Sequence, residues 1–175
     1  TKGFCTDVYF DAALEFIADG AGKPFFVYLP TNAPHGPYHD VPEDLRKHYM
    51  TKDLTVLETK PPKGPRKAQM QDQLARIAAM ITNEDQNVGR LMAHLKKNGL
   101  LENTMVIRMN DNGPNTMRYV GQMRGMKSNV HEGGIRSPFW LHWPEKVNGG
   151  TTVDALTAHI DVMPTILEAC GAKAG

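Results

Sequence analysis

The stretch Met109-Asn110-Asp111-Asn112-Gly113-Pro114 constrains this chain more than any other. It closes a short apolar run, Thr104-Met105-Val106-Ile107-Arg108-Met109, that has the length and composition of a buried strand. Gly113 and Pro114 turn the backbone where that strand ends, beside two side chains that carry hard oxygen atoms. A carboxylate next to an amide oxygen suits a hard divalent cation, Ca2+ or Mg2+. In open α/β sheets, sites form outside the carboxyl ends of strands. The same residues also read as an ordinary Asn-Gly hairpin turn, and locally both readings stand.

With 175 residues and an apolar fraction of 41%, the chain has the size and composition of about one globular, soluble domain. A net charge of +1 gives no basis for a nucleic-acid partner or an acidic membrane surface. No apolar run approaches the roughly 20 residues that span a bilayer, so no transmembrane segment is expected. The opening Thr1-Lys2-Gly3-Phe4 does not read as a signal peptide. Cys5 and Cys170 lie near opposite ends without a CxxC pair, which argues against a cysteine zinc site. Two buried thiols are expected, with a disulfide joining the ends as the alternative, and the compartment is left undecided. The ten methionines read as core gap-fillers.

Thr6 is placed to cap a helix from Asp7, with Val8, Ala12, Ala13, Phe16 and Ile17 at helical spacing and Gly20 and Gly22 as the stop. The run Lys23-Pro24-Phe25-Phe26-Val27-Tyr28-Leu29-Pro30 predicts a buried strand of a parallel sheet. Directly after it, Pro34, Gly36 and Pro37 hold His35 in a stiff turn at a strand's carboxyl end. Residues 51–68 read as an exposed loop, either a rim of the site or a plain surface excursion. The clearest helix runs from 69 to 98, with Leu74, Ala78, Ile81, Val88, Met92 and Leu95 on one face. Asp85 falls on that face, so it is expected to be buried, hydrogen-bonded and structural. Gly99 is its C-cap. Residues 114–137 form a long loop whose glycines permit close backbone approach and whose cations, Lys127 among them, suit an anion. A third strand is expected over 138–142 and a last helix over 165–169. Helix, strand, helix, strand, strand, helix is an α/β pattern: a mainly parallel sheet flanked by helices, with 25–30, 104–109 and 138–142 as neighbours.

The motifs in this order resemble the sulfatase family, within the alkaline-phosphatase-like superfamily, and come closest to bacterial arylsulfatase-like members. They are Pro34-His35-Gly36-Pro37, Asn83-Glu84-Asp85-Gln86-Asn87-Val88-Gly89-Arg90-Leu91, Asp111-Asn112-Gly113, Lys127 five residues before Glu132-Gly133-Gly134-Ile135-Arg136-Ser137-Pro138, and His159-Ile160-Asp161-Val162-Met163-Pro164-Thr165. The resemblance implies residue roles. Asp111 and Asn112 match two metal ligands, usually for Ca2+, with Mg2+ as the alternative. His35 matches a histidine that contacts the substrate sulfate near the leaving oxygen, and Lys127 a lysine on the same sulfate. The implied substrate is a small-molecule or carbohydrate sulfate ester, and the implied setting is periplasmic or secreted. Elementary chemistry agrees with these roles: ester cleavage places negative charge on the departing oxygen, which a divalent metal, an ammonium and an imidazole can offset or protonate.

In that family the nucleophile is a formylglycine made from the Cys or Ser of a C/S-x-P-x-R motif. Here Cys5 is followed by Thr6-Asp7-Val8-Tyr9 and Cys170 by Gly171-Ala172-Lys173-Ala174. The family's amino-terminal aspartate pair has no counterpart either. Residues 1–175 are therefore expected to be a middle part of a sulfatase catalytic domain, inert alone, with the formylglycine upstream and a smaller subdomain downstream. Exposed edges of such a piece favour self-association. Two rival readings are a phosphoester or phosphonate hydrolase of the same superfamily and a non-catalytic sulfatase-like protein.

Overall fold

A computed structural model describes residues 3–20, 22–58, 60, 63–116 and 118–172. The helices are α1 (Cys5–Asp19), α2 (Glu43–Met50), α3 (Pro65–Lys97), α4 (Glu132–Ile135) and α5 (Val162–Ala169). Single 3-10 turns occur at Leu54–Leu57 and His159–Asp161. The strands are β1 (Val106–Met109) and β2 (Phe139–His142). No helix among the described residues is long and apolar enough to cross a membrane.

Helix α3 is the axis against which α1, α2 and the Leu54–Leu57 turn pack. Pro65 starts it at a position that lacks a helical hydrogen-bond partner anyway, and Gly99, at φ 68°, lies just beyond its end. Its buried side chains Leu74, Ala75, Ile77, Ala79, Met80 and Leu95 form the core with Phe10, Ala13 and Ile17 of α1. Between Met80 and Leu95 the inward stripe turns polar. Asn83 and Asn87 both donate to Asp7 Oδ1, at 2.8 and 2.7 Å, which locks α1 against α3. On the other side α2 is clamped by Arg46, whose Nε donates to Asp72 Oδ1 at 2.8 Å, while Arg76 Nε donates to Asp72 Oδ2 at 2.7 Å. Tyr49 and Thr82 hydroxyls add a 2.7 Å contact.

The expected parallel neighbours are corrected. Strand β1 pairs with β2 antiparallel, Val106 opposite His142 and Met109 opposite Phe139. The connection between them explains the direction. Parallel pairing needs a crossover of a dozen or more residues, usually a helix, whereas this loop contains only the four-residue α4 and folds back on itself. Asn110 N donates to Pro138 O at 3.2 Å and Gly113 N to Gly134 O at 2.9 Å, so the two chain directions stay opposed past the strand ends. The 25–30 run is extended but joins no ladder among the described residues, with Phe26 67% and Tyr28 79% exposed. A run read as covered on both faces is thus open on one.

Asp85 is corrected as well. It is exposed, and the buried carboxylate is its neighbour Glu84. The inward stripe of α3 runs through Met80, Glu84 and Asn87, while Ile81 is 43% exposed. One residue is about 100° of helix rotation, so a small error in phase exchanges an inner for an outer side chain. Cys5 and Cys170 are both exposed and free, so neither the buried-thiol nor the disulfide reading holds. Of the ten methionines, Met80 is buried among the described residues, which makes core filling a minor role for this residue type. Residues 59, 61 and 62 of the expected 51–68 loop lie outside the described residues.

Candidate functional site

The turn after β1 is held through Asn110. Its carbonyl accepts from Ser137 Oγ at 2.7 Å and from His159 Nε2 at 3.3 Å, and its side-chain Oδ1 accepts from Arg108. A carbonyl oxygen can only accept, so His159 carries its proton on Nε2 in this contact. The next two residues, Asp111 and Asn112, are exposed and half-buried, and no protein hydrogen bond engages either side chain among the described residues. Two hard oxygen donors on adjacent residues, anchored from behind but free in front, fit the donor set of a hard divalent cation. Among the described residues no three His, Cys, Asp or Glu side chains form a metal-holding group, so this pair would supply only part of a coordination shell.

Close backbone approach fixes the long loop against that turn. A Cβ on Gly113 would stand 1.9 Å from Gly133 O, one on Gly133 2.5 Å from Gly125 O, and one on Gly134 2.3 Å from Asn129 O. Only glycine fits at these three positions. Gly133 N donates to Arg124 O at 2.8 Å, and Lys127 N donates to Pro114 O at 2.9 Å. The half-buried Lys127 is thereby tied three residues beyond Asp111. The same loop meets the 51–58 segment through an antiparallel bridge between Glu58 and Arg118 and through Tyr119 N to Leu57 O at 2.7 Å. Burial pushes the Glu58 carboxyl up and the Arg118 guanidinium down from their ordinary values, each partly offset by the other's charge.

His35 arrives from the other direction. Its amide donates to Asn32 O at 2.7 Å, and its Nδ1 lies 2.7 Å from Gly36 O, which requires the proton on Nδ1 and leaves Nε2 outward. Helix α3 brackets this loop on both sides. Thr31 Oγ1 donates to Glu84 Oε1 at 3.0 Å before the histidine, and Arg76 Nη1 donates to Tyr38 O at 2.9 Å after it. The two anchors lie eight residues apart on α3, about 12 Å along its axis.

Asp111, Asn112 and Lys127 therefore belong to one loop cluster at the carboxyl end of β1. His35 belongs to a second loop, joined to the first through Glu84 and Arg108, and no side-chain hydrogen bond or ion pair links the four directly among the described residues. The residues that do the joining, Glu84, Arg108, Ser137 and His159, were given no site role in the sequence. Arg108 carried a signal, being a cation inside an apolar run. Two open surface depressions among the described residues, each about 480 Å³, lie elsewhere: one beside Asp7, Asp40 and Asn83, the other beside Lys52, Lys67 and Gln71.

Comparison with known proteins gives a consistent family. The chain is 29% identical to the uncharacterized sulfatase YdeN of Escherichia coli over 96% of its length and 28% of that protein. It is 32% identical to a sulfatase of Formosa agariphila, over 99% of its length and 31% of that protein. Among solved structures, Ps i-CgsB in complex with k-i-k-neocarrahexaose superposes with a TM-score of 0.82 at 27% identity, covering 100% of this chain and 36% of that one. A phosphonate monoester hydrolase from Silicibacter pomeroyi shares the fold, with a TM-score of 0.68 at 23% identity over 96% of this chain and 38% of that one. The chain thus spans about a third of the length of these relatives. The Sulfatase family model matches residues 2–172, and the chain belongs to the sulfatase family.

Proposed function

We propose that this chain is part of the catalytic domain of a Ca2+-dependent sulfatase that hydrolyses sulfate esters. The observation that carries the reading is the Asp111-Asn112 pair, clamped from behind through Asn110 and unengaged in front, on a loop that also holds Lys127. In this reading Asp111 and Asn112 hold the metal, with Mg2+ as the alternative occupant. When bound, the ion supplies charge compensation to the sulfuryl oxygens. Lys127 offers a fixed ammonium to the same oxygens. His35, with Nδ1–H spent on Gly36 O, presents Nε2 to the leaving oxygen and hands it a proton when the ring is charged. The nucleophile, a formylglycine, and the remaining metal ligands come from residues outside this chain. In the whole domain the 25–30 run takes a place in a larger, mainly parallel sheet whose flanking helices cover Phe26 and Tyr28. The substrate is a small-molecule or carbohydrate sulfate ester; the relative solved with a neocarrahexaose supports the carbohydrate option.

The second reading, a phosphonate or phosphoester hydrolase, is favoured by the fold shared with the Silicibacter enzyme. The discriminating measurement is turnover of 4-nitrophenyl sulfate against 4-nitrophenyl phenylphosphonate by the parent protein. Preference for the sulfate and loss of Ca2+-dependent turnover in Asp111→Ala are expected. Preference for the phosphonate, or an Asp111→Ala protein that keeps its Ca2+ dependence, overturns the assignment.

A further inference from the structure

We propose that Glu84 and Arg108 form a positioning ion pair that sets the Asp111-Asn112 turn relative to the His35 loop; the inference rests on the function proposed above. Arg108 Nη2 donates to Glu84 Oε2 at 3.2 Å, and Arg108 Nη1 donates to Asn110 Oδ1, next to Asp111. The guanidinium also lies over the Trp140 ring, 5.3 Å from its centroid. The other carboxylate oxygen of Glu84 accepts from Thr31 Oγ1 at 3.0 Å, four residues before His35. One guanidinium and one carboxylate therefore connect α3, β1, β2 and the His35 loop.

The chemistry of the pair suits this task. A guanidinium is a planar fork that fills two acceptors at a set angle and stacks on an aromatic face, so it can be engaged on three sides at once. The Glu84 side chain is 11% and the Arg108 side chain 28% exposed. Water therefore competes weakly for these hydrogen bonds, and their geometry is held. The Asp111 and Asn112 side chains have no protein hydrogen-bond partner among the described residues, and groups behind the ligands commonly set ligand orientation. Asn110, gripped by Arg108, Ser137 and His159, is that support here. Glu84 and Arg108 touch neither metal nor substrate in this scheme; they act through Asn110 and Thr31.

The test uses the parent protein with Arg108→Lys, which keeps the charge but loses the fork, and Glu84→Gln, which keeps an acceptor for Thr31 but loses the charge. Ca2+ alone is titrated by calorimetry, kcat and KM are measured on 4-nitrophenyl sulfate at saturating Ca2+, and melting is followed in parallel. Each variant is expected to bind Ca2+ about tenfold more weakly, with a lower kcat and little change in KM. The double variant is expected to be no worse than the weaker single one, because the two residues act as one unit. Should Arg108→Lys not fold, Glu84→Gln alone, which removes the counter-charge of Arg108 but leaves an acceptor for Thr31 Oγ1, carries the same expectation. Folded variants with wild-type Ca2+ affinity, changed only in melting temperature, overturn the positioning role while leaving the proposed function intact. A wild-type protein that binds no Ca2+ removes both.

Discussion

At the scale of single residues, neighbouring carboxylates on α3 have opposite fates. Asp85 faces solvent, so Asp85→Ala is expected to change unfolding free energy by no more than about 0.5 kcal/mol. Glu84 is paired and buried, so Glu84→Ala leaves Arg108 without its counter-charge and is expected to cost about 2 kcal/mol, the partial exposure of Arg108 moderating a fully buried loss. Denaturant unfolding of the two variants side by side checks this, and equal midpoints would contradict the helix phase described above. Gly113 makes a separate point. A methyl group 1.9 Å from Gly133 O cannot be accommodated without moving backbone, so Gly113→Ala is expected to destabilise by roughly 1–3 kcal/mol. It should also release the Lys127 loop, visible as faster amide exchange at Lys127, whose N–H is held by Pro114 O.

At the scale of elements, the α2–α3 clamp makes stability depend on acid. Burial pushes the Asp72 carboxyl up, but hydrogen bonds from Arg76 and Arg46 outweigh it and hold the group below its ordinary value. A carboxyl depressed in the fold is stabilising above its unfolded pKa, about 3.9, and that contribution is lost as pH falls through the lower, folded value. Asp72→Asn is therefore expected to lower stability at pH 7 by about 1 kcal/mol, a figure reduced for partial solvent screening. It is also expected to flatten the stability curve below about pH 4. Thermal melting from pH 7 to pH 3 measures both, and an unaltered acid limb would show that Asp72 is not the group responsible. The same clamp bears on the site, because Arg76 reaches from Asp72 to Tyr38 O and closes the far side of the His35 loop.

At the scale of the molecule, apolar side chains stand in the open on several segments: Phe26 and Tyr28, Phe139 and Trp140, and Leu156, Ile160 and Met163 toward the end of the chain. Surfaces of this kind drive association when nothing else covers them. The isolated chain is expected to self-associate at high concentration, and sedimentation that remains monomeric would count against it. Exposing the chain to Phe26→Ser and Tyr28→Ser together should reduce the association without lowering the melting point, since neither residue belongs to the core around α3.

Local covalent preference and short-range period were enough to place some of this in advance. The turn at Asn112-Gly113-Pro114, the proline-bound histidine loop and the long helix follow from residues close together in sequence, and the order of motifs carried the family. The helix phase did not follow, because it is decided by Thr31 and Arg108, 53 and 24 residues from Glu84, whose hydrogen bonds draw that carboxylate inward. Strand direction did not follow either. An apolar run looks alike in either direction, and it was the doubling back of residues 110–138, made feasible by glycines at 113, 133 and 134, that set β2 antiparallel to β1. Periodicity reports which residues prefer burial; only the packed chain supplies the distant donor that makes burying a charge favourable.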